Sequence, residues 1–157
     1  MESQPAYEEK LKAFILEKGI VAQHISFSQS CHSVAEAALA ANASAGDFAK
    51  SICMLDVDGN LIVAIVKGEY RASAKFVSRA LDIERPKIAS PEQIFEKTGY
   101  PCGGTPPFGY AARFVMDPRV MEREFIYAGG GSENSLVKVS PQEMQKANGA
   151  LIARVRK

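Results

Sequence analysis

The chain has little that would carry metal or redox chemistry. Its 157 residues contain two histidines, His24 and His32, and three cysteines, Cys31, Cys53 and Cys102. No CxxC or HExxH spacing occurs, and the adjacent Cys31-His32 pair is poor geometry for a closed metal site, so no metal is expected. An odd, unpatterned set of cysteines fits a reducing compartment better than a disulfide scaffold. Charge of one sign is lacking too. Lys and Arg number 19 against 18 Asp and Glu, a net charge of +1, which excludes a basic coat while leaving room for a local basic face. No apolar run reaches 18 residues, so no membrane-spanning helix and no membrane partner are expected. The polar start, Met1 to Tyr7, followed by Leu11–Leu16 broken at Lys12, lacks a secretory apolar core, and a cytoplasmic location is the expectation. The GxSxG elbow, the GxGxxG fingerprint and the GxxxxGK[ST] loop are all absent, which removes the serine-hydrolase, dinucleotide and P-loop readings.

What remains is an ordinary globular composition, 46% hydrophobic and 24% charged, long enough for one domain over residues 1–157 with a real core. Leu11, Phe14 and Ile15 fall at helical spacing in Tyr7–Lys18, and Gly19 reads as the glycine ending that helix. Ile20–Phe27 reads as a strand. Ser33-Val34-Ala35-Glu36 is a capping box opening a helix to about Ala41. Ala49–Val57 and Leu61–Lys67 flank Asp58-Gly59-Asn60, a hairpin signal. Ala72–Leu81 has a helical pattern. Ser90-Pro91-Glu92-Gln93 and Ser140-Pro141-Gln142-Glu143 read as two further capping boxes. Gly99–Tyr110, with four glycines and three prolines, cannot be regular structure. Ala112–Met116, Phe125–Ala128, Leu136–Val139 and Gly149–Val155 read as strands. Strands and helices mix without βαβ alternation, which predicts an α+β fold: one curled mixed sheet, barrel-like, flanked by helices.

Several residues could carry chemistry. Cys31 precedes a capped helix and adjoins His32, as a thiolate nucleophile would, but no third orienting group can be assigned. His24 fits a packed strand position. The segment Cys102-Gly103-Gly104-Thr105-Pro106-Pro107-Phe108-Gly109 is supple at one end and stiff at the other. It is either an oxyanion or phosphate nest or a tight connection. Lys50-Ser51 opens an apolar strand, where the lysine either snorkels to solvent or meets a ligand. Arg71, Lys75 and Arg79 recur at i, i+4, i+8 in the helical pattern, a basic stripe that is either a solvated face or a set of phosphate contacts.

Three segments in order carry a resemblance: Phe48-Ala49-Lys50-Ser51-Ile52, then Thr98-Gly99-Tyr100-Pro101-Cys102-Gly103-Gly104-Thr105-Pro106-Pro107-Phe108-Gly109, then Tyr127-Ala128-Gly129-Gly130-Gly131-Ser132-Glu133-Asn134. With the weaker His32–Ala38 segment, they span nearly the whole chain. The sequence resembles the YbaK/prolyl-tRNA-synthetase-associated editing domain family, the free-standing aminoacyl-tRNA deacylases. The resemblance implies a hydrolase that removes the amino acid from the 3′ end of a mischarged tRNA, without a cofactor. Lys50 would contact the substrate's 3′ end, and Gly103 and Gly104 would serve the reacting ester. Ser51, Thr105, Pro106, Pro107, Phe108 and Gly109 would hold the aminoacyl moiety together with Gly130, Gly131, Glu133 and Asn134. Some members carry a histidine just after the second glycine loop, where this chain has Ser132-Glu133-Asn134. Arg71, Lys75 and Arg79 would bind the tRNA. An aminoacyl-tRNA synthetase is compatible as a transient partner, given the near-neutral charge. An activated ester needs no side-chain nucleophile, since oxyanion donors and one placed water suffice. The other reading is a non-catalytic module of the same fold that cradles an RNA end or nucleotide.

Overall fold

Strand β3, Leu61–Lys67, is the centre of the architecture. Its run Leu61 to Val66 is buried on both faces, as an unbroken apolar strand sequence requires. The computed structural model describes residues 3–157; Met1 and Glu2, part of the expected 1–157 span, lie outside the described residues. β3 pairs antiparallel with β2, Ala49–Leu55, through the predicted hairpin. Asp56 Oδ1 accepts from the amides of Asp58 and Asn60, and Gly59 takes a φ of 80° in the turn. β4, Lys87–Ile88, adds to the far edge of β2. β5, Arg113–Met116, joins β3 in parallel, and β8, Leu151–Ile152, joins β5 in parallel. The result is a mixed five-stranded sheet ordered β4-β2-β3-β5-β8.

A second, antiparallel sheet is ordered β1-β7-β6, from Ala22–Ser26, Ser135–Val139 and Ile126–Gly129. The fold is therefore α+β, as expected, but the single curled sheet is divided in two. One parallel bridge, Phe48 to Tyr127, links β6 to the start of β2, and no closed barrel forms among the described residues.

Five helices cover these sheets. α1, Gln4–Lys18, starts three residues earlier than its apolar spacing indicates, because Ser3 caps it and Pro5 sits in its first turn. Its Tyr7, Leu11 and Ile15 enter the main core with Val63 and Ile65 of β3 and Val137 and Val139 of β7. α2, Val34–Ala41, has the predicted capping box. α3 is Ala74–Leu81, capped by Ser73, and its Val77 packs on the other face of β3 with Ile62, Ala64 and Val66. α4, Pro91–Thr98, has the predicted box and ends at Gly99.

α5, Pro141–Asn148, differs from expectation at its start. Ser140 caps it, but the Glu143 carboxylate accepts from the Val21 amide, 2.9 Å away, instead of closing a box onto its own cap. A tertiary partner has displaced the local one. The C-terminal strand is also shorter than Gly149–Val155, because the chain leaves β5 after Ile152. Buried Asp117 then holds it, accepting from the Val155 and Arg156 amides and pairing with the Arg156 guanidinium at 2.9 Å.

Candidate active site

A cavity of about 540 Å³ opens between the start of β2, α2 and the glycine-proline loop. Four of the residues that the resemblance assigns to the substrate line it, Lys50, Ser51, Gly103 and Thr105, together with Cys31, His32 and Cys102. Lys50 sits where β2 leaves the 3₁₀ turn Ala45–Asp47, so strand pairing with Val66 fixes its backbone. Its ammonium is held below the ordinary lysine pKa, first by burial and then by the like charge of Arg71. The inner wall is apolar, with Val34, Ala37, Phe48, Ile52, Cys53 and Ile94, and no carboxylate lines it among the described residues.

The glycine-proline loop divides into two parts. Pro106, Pro107 and Phe108 are buried, and Phe108 stacks on Phe14 at 6.0 Å in the core, away from the cavity lining. Gly109 faces Leu11 and Phe14. This half is an anchor, stapled by Tyr110 Oη donating to the Pro106 carbonyl at 2.6 Å and by Asn148 Nδ2 donating to that of Pro107 at 3.0 Å. Burial pushes the Tyr110 phenol pKa well above its usual value, keeping it a donor. The other half meets the cavity. The Gly104 amide already donates to the Pro101 carbonyl at 3.0 Å. The amides of Gly103 and Thr105, like that of cavity-lining Cys102, have no acceptor among the described residues, so they are among the donors this loop offers.

The second glycine loop supports the first. The Gly131 amide donates to the Gly104 carbonyl at 2.8 Å. A methyl on Gly104 would lie 2.6 Å from the Ser132 carbonyl carbon, and one on Gly129 would strike the Thr105 carbonyl. These glycines let two backbones touch; ligand approach does not explain them. Gly130 and Gly131 are likewise enclosed by Ser135, Leu136, Tyr7 and Tyr100. Asn134 turns inward, its Oδ1 2.9 Å from Ser132 Oγ. Buried Ser132 in turn reaches the Glu8 carboxylate of α1 at 2.8 Å, and Ser26 of β1 donates to the same carboxylate. His24 Nε2 lies 2.8 Å from the Gly130 carbonyl, the packed strand role expected of it.

Glu133 alone of that segment turns toward the cavity mouth, where its Oε1 lies 3.2 Å from His32 Nδ1. The Cys31 amide donates to the Glu133 carbonyl at 2.6 Å and draws the two segments together. His32 lines the cavity and its ring stands against Gly103, in space that a side chain there would take. Sequence reasoning set His32 aside because its partner is 101 residues away; its adjacency to the cap of α2 was the only local signal. Cys31 does not fit a nucleophile. It is buried, and burial, then Glu36, raises its thiol pKa. Cys53 is pushed up to about 12, by burial and then by Cys102.

Arg71 is not in α3. It precedes the helix in an extended segment, so the expected three-residue helical stripe reduces to Lys75 and Arg79. Arg71 stands instead within electrostatic reach of Lys50. No group of three or more possible metal ligands occurs among the described residues, and no helix there is long and apolar enough to cross a membrane.

The profile of the aminoacyl-tRNA editing domain matches residues 28–147, from before His32 through both glycine loops. The chain belongs to the aminoacyl-tRNA editing domain family. Among curated relatives, this editing domain is 26% identical over 122 residues to the uncharacterized protein YwhH of Bacillus subtilis (strain 168), covering 76% of this chain and 77% of that one. Among solved structures it resembles hypothetical protein APE2540, with a TM-score of 0.87 and 29% identity over 94% of this chain and 99% of the other. It shares its fold with "a putative trans-editing enzyme for prolyl tRNA synthetase", with a TM-score of 0.88 and 23% identity over 96% and 97% of the two chains.

Proposed function

We propose that the protein is a trans-acting aminoacyl-tRNA deacylase, hydrolysing the ester of a mischarged tRNA. The observation that carries this reading is one cavity shared by a half-buried lysine and the open amides of Gly103 and Thr105, in a chain of the editing family. Water adds to the ester carbonyl carbon. The carbonyl oxygen becomes an oxyanion and accepts from those two amides, a contact worth about 2.7–4 kcal/mol per donor in the transition state. The ester C–O bond then breaks, releasing the free amino acid and the tRNA 3′-hydroxyl, which takes up a proton. Lys50 holds the 3′ end, and Ser51 lies beside it on the substrate side. His32, oriented by Glu133, is the titratable group placed to take the proton from water, alongside the vicinal ribose hydroxyl.

The apolar wall and the absence of a lining carboxylate favour a small or medium uncharged side chain. Such a pocket separates neighbours by about 1–3 kcal/mol per methylene, which is why a second sieve is useful to translation. A cytoplasmic setting follows from that substrate. A synthetase partner would raise the local concentration of charged tRNA.

The test is a panel of mischarged tRNAs incubated with the purified protein while loss of the ester is followed. Hydrolysis of one or a few members is expected. Binding of tRNA with no ester loss across the panel would replace the enzyme with the non-catalytic RNA-end module.

A further inference from the structure

Six exposed cations in residues 71–85 and 154–157 stand without a carboxylate partner among the described residues. Arg71, Lys75, Arg79, Arg85, Arg154 and Lys157 are all exposed, and none of them forms an ion pair among the described residues. Other cations nearby are neutralised: Lys67 pairs with Glu69 and Arg156 with Asp117. The six come from three places in the sequence, which is why spacing along a single helix revealed only part of the set.

The C-terminal tail brings them together. It runs antiparallel beside residues 71–73, with the Ser73 amide donating to the Val155 carbonyl at 2.7 Å and the Lys157 amide to the Arg71 carbonyl at 2.8 Å. Buried Asp117 locks that tail in place. Arg79 and Arg154 both lie over the Phe76 ring, at 5.6 and 5.1 Å, contacts that orient the guanidiniums without cancelling their charge. Lys75, Phe76, Arg85, Arg154 and Lys157 line one shallow depression with no acidic residue in it. Arg71 connects this depression to the cavity: it follows the cavity-lining Gly68 by three residues, and its carbonyl accepts from the Lys157 amide that borders the depression.

We infer that the C-terminal tail and α3 form a cationic rail for the phosphates of an RNA duplex, leading its single-stranded 3′ end to Lys50. Self-repulsion among six unpaired cations opposes their gathering, and a polyanion lying across them relieves it. A duplex with a 3′ overhang fits a rail that ends at a cavity. This inference rests on the deacylase reading for its substrate but not for its surface.

The probe is an uncharged RNA hairpin with a duplex stem and a short single-stranded 3′ end, titrated at several salt concentrations. Arg154→Ala with Lys157→Ala should weaken binding and flatten the salt dependence by about 1.8 units, at roughly 0.9 per lost phosphate contact. The control is Lys18→Ala with Lys146→Ala, an equal charge change on exposed lysines elsewhere, which should leave the slope near that of the parent. Melting curves should show both variants folded. If the tail pair leaves the slope unchanged, or the control pair lowers it equally, the rail is overturned. Ester loss is then followed on mischarged tRNA and on a short single-stranded 3′-aminoacyl fragment. The tail variant should lose kcat/KM on the first and keep it on the second. A rail that binds the hairpin while the parent cleaves neither ester upholds the surface and removes the deacylase.

Discussion

Lys50 carries its charge in a setting that opposes it, and that makes it the residue most open to test. Lys50→Ala should slow ester hydrolysis about 10- to 150-fold with circular dichroism unchanged, because a hydrogen bond to a charged group at the reacting end is worth about 1.5–3 kcal/mol. Full activity in this variant would remove Lys50 from the site. Its pKa lies below that of an ordinary lysine, so the ammonium is lost at lower pH than usual as pH rises. Arg71 contributes to that depression, so Arg71→Gln should move the alkaline limb of activity on a short aminoacyl fragment to higher pH. Burial, the larger cause, stays, so the limb should not reach the ordinary lysine value. A limb that does not move would mean that ionisation of Lys50 does not set it. At this scale the lysine was legible, because a cation at the mouth of an apolar strand stands out. His32 was not, because its meaning depends on Glu133 and Gly103, both far away in sequence.

The paired glycine loops are the element on which the site rests. Gly104→Ala should lower the urea midpoint, costing about 1–3 kcal/mol, because its methyl would press on the Ser132 backbone. Activity should fall with it, through displacement of the loop that carries the open amides. Gly103→Ala should be milder in stability, since its new methyl meets a movable His32 ring, although a φ of 90° is strained for alanine. Equal midpoints for Gly104→Ala and the parent would show that the loops can part freely. Composition announced the first loop as irregular but could not say which half faced the cavity. The division follows from Phe14, Tyr110 and Asn148, which claim the proline half for the core. Caps were legible wherever the signal is local, as at Ser33 and Ser90. At Ser140 the pattern was present, yet Glu143 found a better partner in Val21. β4, two residues long, carries no periodicity to read.

Across the molecule, division into two sheets was invisible to sequence because β1 pairs with β7, in a register from Ala22 with Val139 to Ser26 with Ser135, far away along the chain. Asp117 is a second long-range device. Arg156→Ala leaves its buried carboxylate without a counter-charge, and breaking such a pair should cost about 3 kcal/mol or more. Measured on the same protein, RNA affinity should fall as well, since the tail that carries Arg154 and Lys157 loses its clamp. Unchanged stability would show that the three backbone amides at Asp117 suffice alone.

The pairing of β1 with β7 also sets a schedule for synthesis. A chain emerging from the ribosome has made Lys50 and the first glycine loop well before it has made their support, since Ser132, Ser135 and β7 come more than 25 residues after Gly104. Until then β1 has no partner strand, α1 lacks the Val137 and Val139 half of its packing, and Glu8 has no Ser132 to hold. Arrested nascent chains ending before Gly129 should be cut rapidly by protease within residues 4–26, and chains extended past Val139 should resist. The cavity, whose lining ends with Ala128, Gly129 and Leu136, is thus completed only when β7 is made, and a copy terminated before Gly129 lacks it.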